Sequence, residues 1–168
     1  MHRFKQQITW ETCSAREWLN NTFLNAAFSK EEQKAIPITE LDNSDRLNPK
    51  IKLIGELNNT QDQIFLLSKT EAGIYFNLGE RNEQEKSRIA PTPYAIAKDA
   101  FISGIYQTEE GLPAGQWLLR TPSGDYSDGM VVIQSGTYYG MDKRDNDCSG
   151  SLTVARPALW LDLNADIF

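Results

Sequence analysis

The sequence predicts an α+β fold in which N-terminal helices pack on a C-terminal antiparallel sheet. Three observations predict it. Serine and threonine helix-capping signals precede apolar residues at helical spacing in the N-terminal half. From Gln116 onward, glycine and β-forming residues replace the helix formers. Strands and helices do not alternate along the chain, which excludes a doubly wound parallel sheet.

The elements follow in order. Ser14 with Glu17 reads as a capping box, in which the hydroxyl accepts the backbone N–H three residues on and the carboxylate reaches back to the cap amide. The helix it opens places Trp18, Leu19, Phe23, Ala26 and Ala27 on one apolar face. A second box, Ser29 with Glu32, starts a short helix that stops at Ile36-Pro37. The run Ile64-Phe65-Leu66-Leu67 is too short for a buried helix and reads as a buried strand. A third box, Ser68 with Glu71, opens a helix through Tyr75-Phe76, and Thr92 caps a last one with Pro93 at its first position, running through Tyr94 to Ala100. Thr39 to Asn59 and Leu78 to Arg88 read as polar surface loops, and Asp99 to Gly115 as mainly connection. Gln116 to Arg120 is a strand closed by the turn Thr121-Pro122-Ser123-Gly124. Gly129 to Ser135 is a second strand, Gly136 to Gly150 holds a hairpin at Tyr138-Tyr139-Gly140, and Leu152 to Leu163 contains the last strand. No repeat, low-complexity tract or linker divides the chain, so residues 1–168 form a single domain.

Composition narrows the function. The 168 residues carry 17 basic and 23 acidic side chains, a net charge of −6, and 40% are hydrophobic. A chain of this length buries roughly 70% of its unfolded surface, so its core needs no disulfide or metal. The acidic balance is the wrong sign for DNA, RNA or an anionic membrane, and those partners are excluded. Cys13 and Cys148 are too few for a disulfide framework and lack zinc-site spacing, while His2 is the one histidine. Met1 to Ile8 lacks the apolar run of a secretory signal and no stretch approaches the roughly 20 apolar residues of a membrane span, so a cytoplasmic location is expected.

The order of several blocks resembles a bacterial domain family of unknown function. They are Thr9-Trp10-Glu11, Ser14-Ala15-Arg16-Glu17-Trp18-Leu19-Asn20, Phe65-Leu66-Leu67-Ser68, Trp117-Leu118-Leu119-Arg120-Thr121-Pro122 and Ala155-Arg156-Pro157-Ala158-Leu159-Trp160. The resemblance runs from about Thr9 to Leu163. More distantly, the chain is similar to the C-type-lectin-like fold of formylglycine-generating enzymes and of the variable proteins of diversity-generating retroelements. The family resemblance implies an N-terminal hairpin before the Thr-Trp-Glu block, and only Met1 to Ile8 stands there. In a lectin-like fold the terminal strands pair, so either Phe4 to Ile8 supplies a substitute or the last strand keeps an open edge that invites a homodimer.

The chemistry these resemblances imply does not find its residues. Copper-dependent formylglycine chemistry needs paired thiolates in the C-terminal half, where only Cys148 stands, and the related iron enzymes need three histidines. Cys148 has no histidine base nearby in sequence and reads as a free surface thiol. No enzyme activity and no cofactor are expected. Asp145, Asp147, Ser149 and Gly150 fit the first half of a calcium loop, but the twelfth position is Arg156 rather than a bidentate glutamate, so a solvated polar loop is the better reading and no metal is expected. Trp10, Trp18, Trp117 and Trp160 sit among apolar neighbours and read as core. Arg120 and Arg156, each after apolar residues and close to a proline, read as satisfying buried carbonyls or a carboxylate. Glu17, Glu32 and Glu71 have capping work.

The C-terminal loops differ. Tyrosine, serine, glycine and asparagine on a rigid scaffold compose an adaptable recognition surface. The candidate ligand-binding residues are therefore Asp125, Tyr126, Asp128, Tyr138, Tyr139, Asp142, Asp145, Asn146, Asp147 and Ser149, within the loops Gly124 to Asp128 and Thr137 to Ser151. The expected role is a non-enzymatic binding or display module for a protein or carbohydrate ligand. Its composition also fits a retroelement variable protein. The alternative is an assembly protein that dimerises through the exposed final strand.

Overall fold

The computed structural model describes residues 9–45, 57–78, 84–122, 129–132, 135–140 and 153–166. A 3-10 turn at Trp10–Thr12 leads directly into α1 (Ser14–Trp18), so the chain is helical one residue earlier than the Ser14 box requires. Cys13 is the cap instead, its sulfur accepting the Arg16 N–H at 3.4 Å. The helix continues through a π segment, Leu19–Phe23, into α2 (Leu24–Ala27). An i→i+5 turn brings residues five apart onto one side, which is why Leu19 and Leu24 are both buried. The predicted apolar face is rotated accordingly: Ala26 and Ala27 are exposed, and Trp18, expected in the core, is 46% exposed and lies against Phe23 with ring centroids 5.2 Å apart.

The next two capping boxes form as predicted. α3 (Lys30–Lys34) begins at Ser29, whose N–H donates to Glu32 Oε2 at 2.7 Å while its hydroxyl accepts the Glu32 N–H at 3.2 Å. α4 (Lys69–Phe76) begins at Ser68 with the same exchange with Glu71, at 2.9 and 3.1 Å, and ends on Asn77 at a φ of 52°, a left-handed conformation asparagine tolerates. α5 (Pro93–Ile96) is capped by Thr92 but stops well short of Ala100. The polar stretch after Pro37 is not all loop: β1 (Thr39–Leu41) pairs antiparallel with β2 (Thr60–Asp62). These strands have three residues each, too few to show a two-residue alternation. Ile64 to Leu67 is buried as expected but makes a single antiparallel bridge, Phe65 to Ala158, rather than a ladder. Leu78 to Arg88 ends in a second 3-10 turn, Glu85–Ser87, whose last residue is completely buried.

The main sheet is a path of four strands, neighbours in sequence pairing antiparallel, with a fifth strand beside it. β3 (Ile102–Gln107) lies in the stretch read as connection. A bulge hides its alternation, with the Ser103 hydroxyl accepting the N–H groups of Ile105 and Tyr106 at 3.1 and 2.9 Å. β4 (Pro113–Pro122) is the central strand, and β5 (Gly129–Val132) and β6 (Tyr138–Gly140) follow antiparallel. β7 (Thr153–Val154) corrects the expectation of a purely antiparallel sheet, because it runs parallel to β4, with Thr153 beside Gln116 and Val154 beside Trp117. One apolar cluster joins the halves, from Trp10, Leu19 and Leu24 through Ile64 to Leu67 and Ala72 to Trp117 and Leu119. The fold is α+β, with a mixed sheet and a small second sheet among the helices.

Candidate functional site

Tyr138 and Tyr139 occupy consecutive positions of β6, opposite Val132 and Val131. Asp125, Tyr126, Asp128, Asp142, Asp145, Asn146, Asp147 and Ser149 lie outside the described residues, as do Cys148 and the half calcium loop. The register fixes where their segments join the sheet. Pro122 faces Gly129 and Met130 faces Gly140. The β4–β5 connection and the segment after β6 therefore spring from the same end of the antiparallel ladder. The second segment rejoins at Thr153 beside Gln116, near the ladder's other end.

The charged motif residues are engaged in holding this scaffold. Arg120 is buried, and all five of its N–H donors are used. Nη1 and Nη2 grip Glu71 at 2.5 and 2.8 Å, and the same nitrogens reach the carbonyls of Leu66 at 2.9 Å and Asp42 at 3.1 Å. Nε donates to Asn43 Oδ1 at 3.0 Å. The expectation of carbonyls or a carboxylate is met by both. Glu71 thus links the α4 cap to the central strand. The network continues from Asn43, whose amide donates to the Thr60 hydroxyl at 3.1 Å, to Asp62, which accepts from that hydroxyl at 2.8 Å, from the Trp10 indole at 3.0 Å and from Arg16 Nε at 2.7 Å. Asn20 takes the N–H groups of Gln63 and Ile64 on its oxygen, at 2.9 and 3.1 Å, and gives its amide to Ile64 O at 2.8 Å, so a helix side chain serves the extended run as a strand neighbour would.

Ser87 ties the base of the second loop. Its hydroxyl donates to the carbonyls of Gln84 at 2.7 Å and Gly136 at 3.1 Å, while its own carbonyl accepts from the Trp117 indole at 2.9 Å and from Arg156 at 3.2 Å. Gly136 has a φ of 86°, and a Cβ there would stand 2.1 Å from Gln84 O. The Arg156 guanidinium lies 4.5 Å from the Phe76 ring centroid and 4.9 Å from that of Trp117, two rings set edge-on to each other. Sequence reasoning expected the carbonyl under Arg156 but missed the rings. It also missed Ser87 and Asn43, polar residues in polar stretches with no local signal. Trp160, read as core, is 49% exposed and meets Tyr75 edge-on at 6.4 Å.

Burial pushes the Cys13 thiol above its ordinary range and the Arg156 guanidinium below its own. Hydrogen bonds from Ser44 hold Asp42 below the usual carboxylate range. Among the described residues, no group of three His, Cys, Asp or Glu could hold a metal ion, and no helix is long and apolar enough to cross a membrane.

No curated protein and no solved structure matches the chain. A family profile described as a domain of unknown function, DUF6273, matches residues 1–163. The Trp-Leu-Asn, Phe-Leu-Leu-Ser and Trp-Leu-Leu-Arg blocks fall within that span and correspond to the Asn20, Ser68 and Arg120 anchors described above. The chain belongs to the DUF6273 family.

Proposed function

We propose that this domain is a non-enzymatic binding or display module whose contacts are made by residues 124–128 and 137–151. The observation that carries the reading is the register: Pro122 opposite Gly129 and Met130 opposite Gly140 root the polar β4–β5 connection and the polar segment that follows β6 at one end of one sheet. Function concentrates in loops positioned by a rigid scaffold, and Arg120, Glu71, Asn20 and Asp62 are spent on that scaffold rather than on chemistry. The ligand class is a protein or a carbohydrate. The C-type-lectin-like fold and the retroelement variable-protein reading rest on block order and on the Asp, Asn, Ser, Tyr and Gly content of these loops.

Replacing residues 124–128 and, separately, 142–149 with Gly-Ser sequence tests the module. Stability should change by only about 0.5 kcal/mol in urea denaturation. Ligand capture on a glycan array or in a pull-down from the native host should weaken at least tenfold, about 1.4 kcal/mol. Capture unchanged in both variants overturns the reading. The neighbouring DNA tests the retroelement version: a reverse transcriptase and a near-repeat of the 3′ end are expected, and absence of both sinks it.

A further inference from the structure

The hairpin that joins β3 to β4 is built around an irregularity. Ile102 stands opposite Gly115 and Gln107 opposite Pro113, so Ser103 to Tyr106 face Ala114 alone and the strand bulges between the two pairs. The buried Ser103 hydroxyl fixes the bulge through the N–H groups of Ile105 and Tyr106. Arg88 braces it, with its guanidinium 5.1 Å from the Tyr106 ring centroid and its Nη1 donating to Gln107 O at 3.1 Å. The turn beyond is closed as well. The Thr108 N–H donates to Leu112 O at 2.8 Å, and Gly111, at a φ of 77°, donates to Thr108 O at 2.9 Å. What this bracing holds out is apolar. Ile105 is 86% exposed, more than any other large apolar side chain among the described residues, and a Cβ on neighbouring Gly104 would meet nothing within 4 Å. Leu112 and Ile102, on the same arm, are exposed too. Single exposed aliphatic residues are ordinary, whereas several held out together on one fixed hairpin mark a contact surface.

Charge decides what the arm would meet. From Ala100 to Leu119 the only charged side chains are Glu109 and Glu110, at the hairpin tip. The Thr108 hydroxyl, hydrogen-bonded to Glu110, holds that carboxyl below the usual carboxylate range. Arg88, the cation that braces the arm, lies 3.8 Å from Glu85. An apolar ridge beside two carboxylates is complemented by an apolar surface rimmed with lysine or arginine. The carboxylates disfavour lipid, and they disfavour a second copy of this chain, which carries the same glutamates and a net charge of −6. Strand addition does not supply the contact, since the Ile105 and Tyr106 N–H groups already bond to Ser103. A β-branched side chain fixed before binding loses little freedom on docking, and the hole between four residues of a helix is the seat such a knob takes. We propose that the β3–β4 hairpin docks a basic amphipathic helix of a partner protein, with Ile105 as the knob and Glu109 and Glu110 pairing with the helix's cationic rim. β4 spans ten residues, roughly 30 Å at a strand's rise. The arm therefore stands at the other end of that strand from the β4–β5 connection, and its surface is additional to the loops proposed above.

Methyl resonances of the full chain test this directly. The probe is a synthetic peptide of about 18 residues with leucine at i, i+3, i+4 and i+7 and lysine elsewhere. The Ile105 and Leu112 methyl signals should shift and saturate, with Kd on the order of 100 μM, while those of buried Ile64 stay still. The same peptide with glutamate in place of lysine, or with serine in place of leucine, should give no saturation. Ile105→Ser should weaken binding roughly tenfold or more, and Glu109→Gln combined with Glu110→Gln about threefold at low salt. Wild-type signals that do not saturate overturn the proposal. So does equal saturation by the glutamate or serine peptide, or by Ile105→Ser with the Ile64 signals unchanged. Ile105 shifts on concentrating the protein alone would make the occupant a second copy, and co-sedimentation with phosphatidylcholine vesicles that Ile105→Ser abolishes would make it a membrane; either result also overturns the proposal. The wild-type titration decides by itself if a variant fails to fold. Because the readout is at the hairpin, a flat titration removes the helix dock and leaves the loop reading to the Gly-Ser replacements.

Discussion

Replacing Arg120 with alanine would strip a carboxylate, an amide oxygen and two backbone carbonyls of their donor at once. Glu71 would be left partly buried beside unsatisfied carbonyls, so Arg120→Ala should cost about 3–5 kcal/mol in urea denaturation. Arg120→Lys keeps the charge but reaches in one direction, and should still lose about 2 kcal/mol. A loss below about 0.5 kcal/mol for alanine would mean that the network contributes nothing net. That Arg120 would be consumed internally was legible from its place between apolar residues and a proline. Its partners were not. Asn43 and Asp42 lie in a polar stretch without periodicity, and Leu66 is 54 positions away. Only the tertiary fold brings them to one guanidinium.

Helix starts were legible because capping chemistry is complete within four residues, as at Ser29 with Glu32, Ser68 with Glu71, and Thr92 with Pro93. The exception, Ser14, shows the limit of that locality: a preceding 3-10 turn moved the start to Cys13. Short strands were not legible, since β1 and β2 are defined by each other although residues 42–59 separate them in sequence, and β3 is interrupted by its Ser103 bulge. The π segment was equally hidden, because a 3.6-residue period does not anticipate a five-residue step. At this scale the glycines give a paired prediction. Gly136→Ala places a methyl against Gln84 O at a positive φ and should destabilise by about 2 kcal/mol or more. In Gly104→Ala nothing stands within 4 Å of the added carbon, so stability should hold or rise by about 0.5 kcal/mol. Equal melting temperatures for the two variants would remove the Ser87–Gly136 clamp from the account.

Across the whole molecule, the α+β class was readable from the change of texture at Gln116, while the parallel β7 and the small β1–β2 sheet were not, because strand direction depends on the route of the intervening chain. Of the candidate site, the polar composition of residues 124–128 and 137–151 was legible in the sequence; that the β4–β5 connection and the segment after β6 start from one end of the ladder appears only in the register. The same topology bears on assembly. The Ser103 hydroxyl withdraws two N–H donors from β3, β6 has three residues and β7 two, so none of these described edges offers a long template for a second chain. Size-exclusion chromatography with light scattering should give a monomer of 19.0 kDa at micromolar concentration, and a stable dimer would restore the edge-strand alternative. The Phe65–Ala158 bridge, with its hydrogen bonds of 2.9 and 2.8 Å, and the Asp162 N–H to Ala35 O bond at 2.8 Å join early residues to late ones. During synthesis, Ile64 to Leu67 therefore emerges from the ribosome long before its cover exists. The N-terminal half must wait, apolar and chaperone-accessible, until residues 158–162 clear the exit tunnel.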